Sequence, residues 1–252
     1  MKVTGIRTHI IQAEENLSDV FLQNTKTPPT EDSILIITSK VVSVAEGSVV
    51  QCCSREEQQR IIFNEADEVL GKAEKYDFWL TKKNGFLLPN AGIDLSNAKE
   101  QTAILLPKDS VASAQNIREE IQKKTGVQNF GVIVCDSRVL PFRRGISGIA
   151  LGWAGFVGIS DERGKTDLYG KKLAVSEIAV ADDLSSMAQI FFGQANEQIP
   201  FVLAENVPAE FTDTEQDCSK ACIKRSEDLF ADVFFTVREA EAKEKKKPPK
   251  GY

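Results

Sequence analysis

The segment Gly131 to Cys135 (GVIVC) is a run of apolar, largely β-branched residues that leads directly into Asp136 and Ser137. A short continuous apolar run of this kind reads as a buried strand. Ile34 to Thr38 (ILIIT) has the same character and is followed by Ser39, Lys40 and a second apolar stretch, Val41 to Val44. Ala45-Glu46-Gly47 reads as a turn. Thr102 to Leu106 and Phe201 to Ala204 are further short strands.

Between these runs the spacing becomes helical. Glu56 to Leu70 places Ile61, Ile62, Ala66, Val69 and Leu70 at helical intervals, with Gly71 as the stop. Ser110 to Lys124 reads as a capped helix ending at Gly126, and Ser176 to Phe192 as a helix stopped by Gly193. Asp217 to about Ala242 predicts a long C-terminal helix, and residues 243–252 (KEKKKPPKGY) a basic, disordered tail. Asn84-Gly85 marks a turn, and Pro89 to Asn97 (PNAGIDLSN) a polar loop. Gly145 to Gly158 holds five glycines among apolar residues, the pattern of close backbone packing. Strands and helices interleave, so the expected class is mixed α/β (α+β), with residues 1–242 as one intertwined catalytic unit.

The bulk composition excludes several function classes. A net charge of -6 provides no basic field for nucleic acid. No apolar run approaches the roughly 18 residues of a membrane helix. The first residues, Met1-Lys2-Val3-Thr4, lack a signal-peptide pattern, and five cysteines, an odd number, suggest reduced thiols in a cytoplasmic protein. The single histidine, His9, makes triads, paired-histidine zinc sites and histidine bases poor candidates. Catalysis would then rest on carboxylates, amides, hydroxyls, lysine or arginine, with a hard metal ion.

Gly158 to Thr166 ends in the G-K-T of a phosphate loop, but five residues separate its glycines instead of four and no clear strand precedes it. A charged surface loop is the better reading. Two other loops are more informative. Asp94 lies among small residues that let a ligand approach the backbone. Asp136 follows a strand end, where α/β sheets place ligands. Two such carboxylates can hold Mg²⁺ or Mn²⁺ against a polyphosphate, and Arg143 and Arg144 beside Gly145 can neutralise phosphate oxygens. Aspartate in a turn is also a common cap, so the residues alone leave both readings open.

Five blocks, taken in order, resemble the coenzyme F(420)-0:L-glutamate ligase family. They are ILIITSKVVSVAEG (34–47), NGFLLPNAGIDLSNA (84–98), VIVCDSRVLPFRRGISGIALGWAGF (132–156), DERGKTDLYGKKL (161–173) with AVADDL (179–184), and FFGQANEQIPFVL (191–203). The resemblance implies a mixed α/β fold and a homodimer. It further implies a GTP-dependent ligase that adds L-glutamate to a carboxylate-bearing deazaflavin cofactor through an acyl phosphate. Carried over to this chain, the metal ligands are Asp94, Asp136, Ser137 and Gln194, with the two aspartates catalytic. Ser39, Lys40 and Asn97 fall near the guanine nucleotide, as does the segment Phe192 to Ile199 with Gly193, Gln194, Ala195 and Asn196. The chain departs from the family pattern at Val44, commonly lysine, at Phe142, often tryptophan, and at Ser137, threonine in the family. The departures at Val44 and Phe142 keep open the same chemistry on another acceptor such as folate. A non-catalytic nucleotide-binding relative is the other alternative.

Overall fold

The computed structural model describes residues 1–230 apart from position 225. Met1–Cys218 form one compact unit, and a second unit begins at Ser219. The first unit opens with β1 (Lys2–Ile6), α1 (Leu17–Asn24), β2 (Ser33–Thr38), α2 (Ser39–Ala45), β3 (Val49–Gln51) and α3 (Arg55–Glu65). It continues with β4 (Glu68–Ala73), β5 (Phe78–Lys83), β6 (Phe86–Pro89), β7 (Thr102–Ile104), α4 (Ser110–Thr125) and β8 (Phe130–Val139). It closes with β9 (Ile146–Ala154), β10 (Ser160–Asp161), β11 (Glu177–Ile178), α5 (Val180–Phe192) and β12 (Phe201–Glu205). The class is mixed α/β, as the sequence predicts.

The central sheet has the order β1-β12-β2-β8-β9. Only β2 and β8 run parallel; the other neighbours are antiparallel. The continuous apolar runs are explained by two cores, one on each face. Leu35, Ile37, Val132, Val134 and Leu203 pack with Phe21 of α1 and Ile117 and Ile121 of α4. Ile34, Ile36, Ile133, Cys135 and Val202 pack with Ala181, Leu184, Ala188 and Phe192 of α5. Every one of these side chains leaves water, each contributing roughly 1.5–3 kcal/mol for the larger aliphatics and aromatics.

The glycine-rich strand β9 lets helices come close. A Cβ at Gly148 would overlap the backbone of Ser185 in α5, and one at Gly152 would lie 2.6 Å from the Ser110 carbonyl carbon at the start of α4. α4 itself is capped by Asp109, whose carboxylate accepts from the N–H groups of Val111 and Ala112.

Three expectations fail. The helix expected over Glu56–Leu70 stops at Glu65, and Glu68–Ala73 form β4, paired with β5 across a bulge between Val69 and Gly71. The non-local pairing offered by β5 outweighs the local helical spacing. The helix expected from Ser176 begins at Val180, because Glu177–Ile178 pair with Ser160–Asp161. Asp217 does not open a long helix. The described residues there hold a single 3-10 turn, Cys218–Ala221, and positions 231–242 and the basic tail lie outside the described residues. Cys218 is drawn into the core instead, its thiol donating to the Trp153 carbonyl at 3.4 Å.

The phosphate-loop lookalike is a charged surface hairpin. Arg163 pairs with Asp161 at 2.6 Å and Glu177 at 3.2 Å, and Lys165 with Glu162 at 2.7 Å.

A small three-stranded sheet, β4-β5-β6, supports the loop carrying Asp94. Thr81 of β5 is fully buried; its hydroxyl donates to the Leu88 carbonyl at 2.6 Å and accepts from the Ala91 N–H at 2.8 Å. Thr81→Val keeps the volume but strands both backbone groups. We expect it to lower unfolding free energy by about 1–3 kcal/mol. Urea denaturation checks this, and an unchanged midpoint would show that the loop repacks without its anchor.

Candidate functional site

The parallel pairing of β2 and β8 decides where the site lies. Thr38, the last residue of β2, sits opposite Cys135, where the parallel pairing with β8 ends. Ser39-Lys40, which follow β2, therefore stand beside Asp136-Ser137, where β8 continues past the end of β2 to pair with β9 alone. β12 runs antiparallel to β2, so the segment leading into it starts at the same edge, with the Thr38 N–H donating to the Pro200 carbonyl at 3.1 Å. β1 runs antiparallel to β12, so the chain leaving β1 arrives there too, and the Thr8 N–H donates to the Gln198 carbonyl at 3.0 Å. The remaining wall is the Asp94 loop, fixed by reciprocal backbone bonds between Asp94 and Ile104, each 2.9 Å.

These five segments line a cavity of about 680 Å³ that is open to solvent on one side. Its lining includes Ser39, Lys40, Asp94, Asn97, Asp136, Ser137 and the run Gly193, Gln194, Ala195 and Asn196. Arg143 and Arg144 are the sequence candidates outside it, Arg143 exposed in the turn between β8 and β9 with its N–H donating to the Leu140 carbonyl at 3.3 Å. Arg144 is exposed in the same turn. The Asn97 amide donates to the Ala195 carbonyl at 3.0 Å and ties two walls together.

Three structural features of the cavity were not legible in the sequence. Thr8 to Gln12 form a wall, Cys135 lies on the floor, and Ser96 is a hydrogen-bond partner of Lys40. No local signal marks Thr8 to Gln12, whose position depends on a pairing between the two ends of the unit. His9 stands there, hydrogen-bonded to Glu15 at 2.8 Å.

Electrostatically, the site is short of positive charge. Lys40 Nζ lies 2.7 Å from Asp94 Oδ2. Burial pushes the Asp136 carboxyl up to about 6, and the charge of Asp94 adds to the rise. The Ser137 N–H, Lys40 and the Ser39 hydroxyl act in the opposite direction without cancelling it. Burial also raises the neighbouring Cys135 thiol far above the usual range, which makes it a poor nucleophile.

A carboxylate whose ionised form is under-compensated, facing a second carboxylate, fits a hard divalent cation. Among the described residues no three His, Cys, Asp or Glu side chains gather into one metal cluster. The donor set would therefore be two carboxylates completed by hydroxyl and amide oxygens, with substrate phosphates, as such cations accept. Ser137, with a hydroxyl, and Gln194, with an amide, both line the cavity.

A family model described as F420-0:gamma-glutamyl ligase matches residues 5–206. The chain belongs to that family. Among its relatives, the coenzyme F420:L-glutamate ligase of Methanococcus maripaludis (strain C7) is 32% identical over 250 residues, covering 93% of this chain and 97% of the relative. The enzyme of the same name from Methanocaldococcus jannaschii is 36% identical over 229 residues, covering 82% and 89%. That from Archaeoglobus fulgidus is 33% identical over 220 residues, covering 77% and 87%. The region matched by the F420-0:gamma-glutamyl ligase family contains all five cavity walls. Among the described residues no helix is long and apolar enough to cross a membrane.

Proposed function

We propose that this amide-bond-forming glutamate ligase joins L-glutamate to the carboxylate of an F420-0-type deazaflavin acceptor, using GTP and Mg²⁺ or Mn²⁺. The observation that carries the reading is the convergence of Asp94 and Asp136, from separate segments, on one cavity at the point where β2 ends beside the parallel β8. The names of the relatives support the choice of glutamate and acceptor.

Asp94, Asp136, Ser137 and Gln194 would hold the cation, which when bound supplies charge compensation for the nucleotide phosphates. Ser39, Lys40, Asn97 and the Gly193 to Asn196 run would position the nucleotide. An oxygen of the acceptor carboxylate attacks the γ-phosphorus and the bond to the bridging oxygen breaks, releasing GDP and leaving an acyl phosphate. The glutamate amine then attacks the acyl carbon, the carbon–oxygen bond to phosphate breaks, and the amine gives up a proton as the amide forms. Such chemistry needs positioning and charge compensation more than a nucleophilic side chain. That suits a cavity whose one thiol is held protonated.

The proposed assembly is a homodimer. Its support is the exposed apolar group Val139, Leu140, Phe142 and Ile146 on the β8–β9 hairpin, which continues the strand bearing Asp136.

The test is GTP hydrolysis with L-glutamate and Mg²⁺ or Mn²⁺, with deazaflavin and folate acceptors offered separately and mass spectrometry for the added glutamyl group. Asp94→Asn should reduce product formation by on the order of 10²–10³. Product on folate alone would keep the mechanism and overturn the acceptor. Near-normal turnover of Asp94→Asn would overturn the site.

A further inference from the structure

Lys40 and Asp94 form a closed set that the ligase reading does not by itself require. Three oxygens surround the Lys40 ammonium, two of them hydrogen-bond acceptors and the third an ion-pair partner. Asp94 Oδ2 lies at 2.7 Å, and the carbonyl and hydroxyl oxygens of Ser96 lie at 3.1 Å each. The other Asp94 oxygen accepts from the Ser96 N–H at 2.6 Å. The lysine comes from the start of α2 and its partners from the Asp94 loop, so this set joins two walls of the cavity. Lys40 also interacts with Asp136, as Asp94 does. One ammonium thus serves two carboxylates, leaving a local charge of about -1 by simple Coulomb accounting.

A divalent cation entering between the carboxylates would draw on the oxygen that Lys40 already holds, and would be repelled by its charge. A polyphosphate changes this balance, because its oxygens offer the ammonium a new partner. We infer that Lys40 couples cation binding to nucleotide binding. It guards Asp94 against free divalent cation and gives it up when a nucleotide phosphate takes the ammonium. Lys40 is then a positioning residue as well as a nucleotide contact, and the two ligands each raise the affinity for the other by the same factor.

This inference rests on the proposed metal–nucleotide site, and the experiment separates the two. Mn²⁺ binding to the full chain is followed by electron paramagnetic resonance of the free ion, with and without GDP. In the wild type GDP should tighten Mn²⁺ binding by on the order of tenfold or more. In Lys40→Met, Mn²⁺ alone should bind about tenfold tighter than in the wild type, and the enhancement by GDP should fall to about threefold or less, the loss of a unit charge at close range. Lys40→Gln, which keeps polar contact with Ser96, should behave likewise and serves if the methionine variant does not fold. Unchanged Mn²⁺ affinity and undiminished enhancement in a folded neutral variant would overturn the role of Lys40, provided that Asp94→Asn weakens Mn²⁺ binding. If neither Asp94→Asn nor Asp136→Asn alters Mn²⁺ binding, the metal site itself is overturned and the coupling with it.

Discussion

Asp136→Asn is expected to lose turnover by on the order of 10²–10³ and, in chelator at pH 7.5, to melt at a higher temperature than the wild type. Both effects come from the same carboxylate. It stands within β8, just past the end of the pairing with β2, half-buried, and burial is the main cause that raises it from its ordinary range to about 6. Asp94 contributes in the same direction, while Lys40, Ser39 and the Ser137 N–H offset part of the cost.

The sign follows from linkage. The folded protein holds the Asp136 proton more tightly than the unfolded chain, so the contribution to stability is full below the unfolded value of about 4 and is lost as pH rises through about 6. A shift of about two units corresponds to up to about 3 kcal/mol lost above that window. Asparagine carries no charge and avoids the loss. The difference in melting temperature should therefore be several degrees at pH 7.5 and should close as pH falls from about 6 toward 4. Calorimetry across this range checks the stability arm. Equal melting at pH 7.5 would show that the ionised carboxylate is fully compensated by its neighbours. A bound divalent cation should reverse the order by stabilising only the wild type.

The contrast between Asp136 and Arg143 shows how much of this site can be read without a structure. GVIVC announces a buried strand because its residues must be covered on both faces, and Asp136 at its end is a short inference from there. That Ser39 and Lys40 stand beside it is a different kind of fact. It depends on β2 and β8 being parallel neighbours, a pairing across about a hundred residues that no local pattern encodes. Arg143 lies outside the cavity for the converse reason. Two arginines beside a glycine look like a phosphate clamp, but β8 and β9 extend past the cavity and expose the turn between them. Strand β1 is likewise hidden in KVTGI, too short to signal itself, yet its pairing with β12 brings Thr8 to Gln12 to the site. Local burial patterns were legible; which strand ends share an edge was not.

Gly193→Ala should weaken nucleotide binding by about 10- to 100-fold and lower stability by roughly 1–3 kcal/mol, the range for forcing a side chain into such a backbone conformation. Gly193 closes α5 with φ 69° and ψ -166°, a region that glycine alone occupies readily. It also opens the run that forms one wall of the cavity. The space beside it is filled, because a Cβ there would overlap the carboxyl group of Glu197, which accepts from the Ala195 N–H at 2.8 Å. The backbone carbonyl of Glu197 in turn accepts from Arg7 Nε at 3.0 Å, so the wall cannot move aside without losing its tie to the segment after β1. Two costs are therefore superposed, one of backbone strain and one of collision. The double variant Gly193→Ala, Glu197→Ala separates them. It removes the collision and leaves the strain, so it should recover part but not all of the nucleotide affinity, measured by fluorescence titration with a labelled guanine nucleotide. Full recovery would assign the effect to collision alone. No recovery, with Glu197→Ala itself near wild type, would assign it to the backbone, and the wall would then be held by the conformation of a single residue.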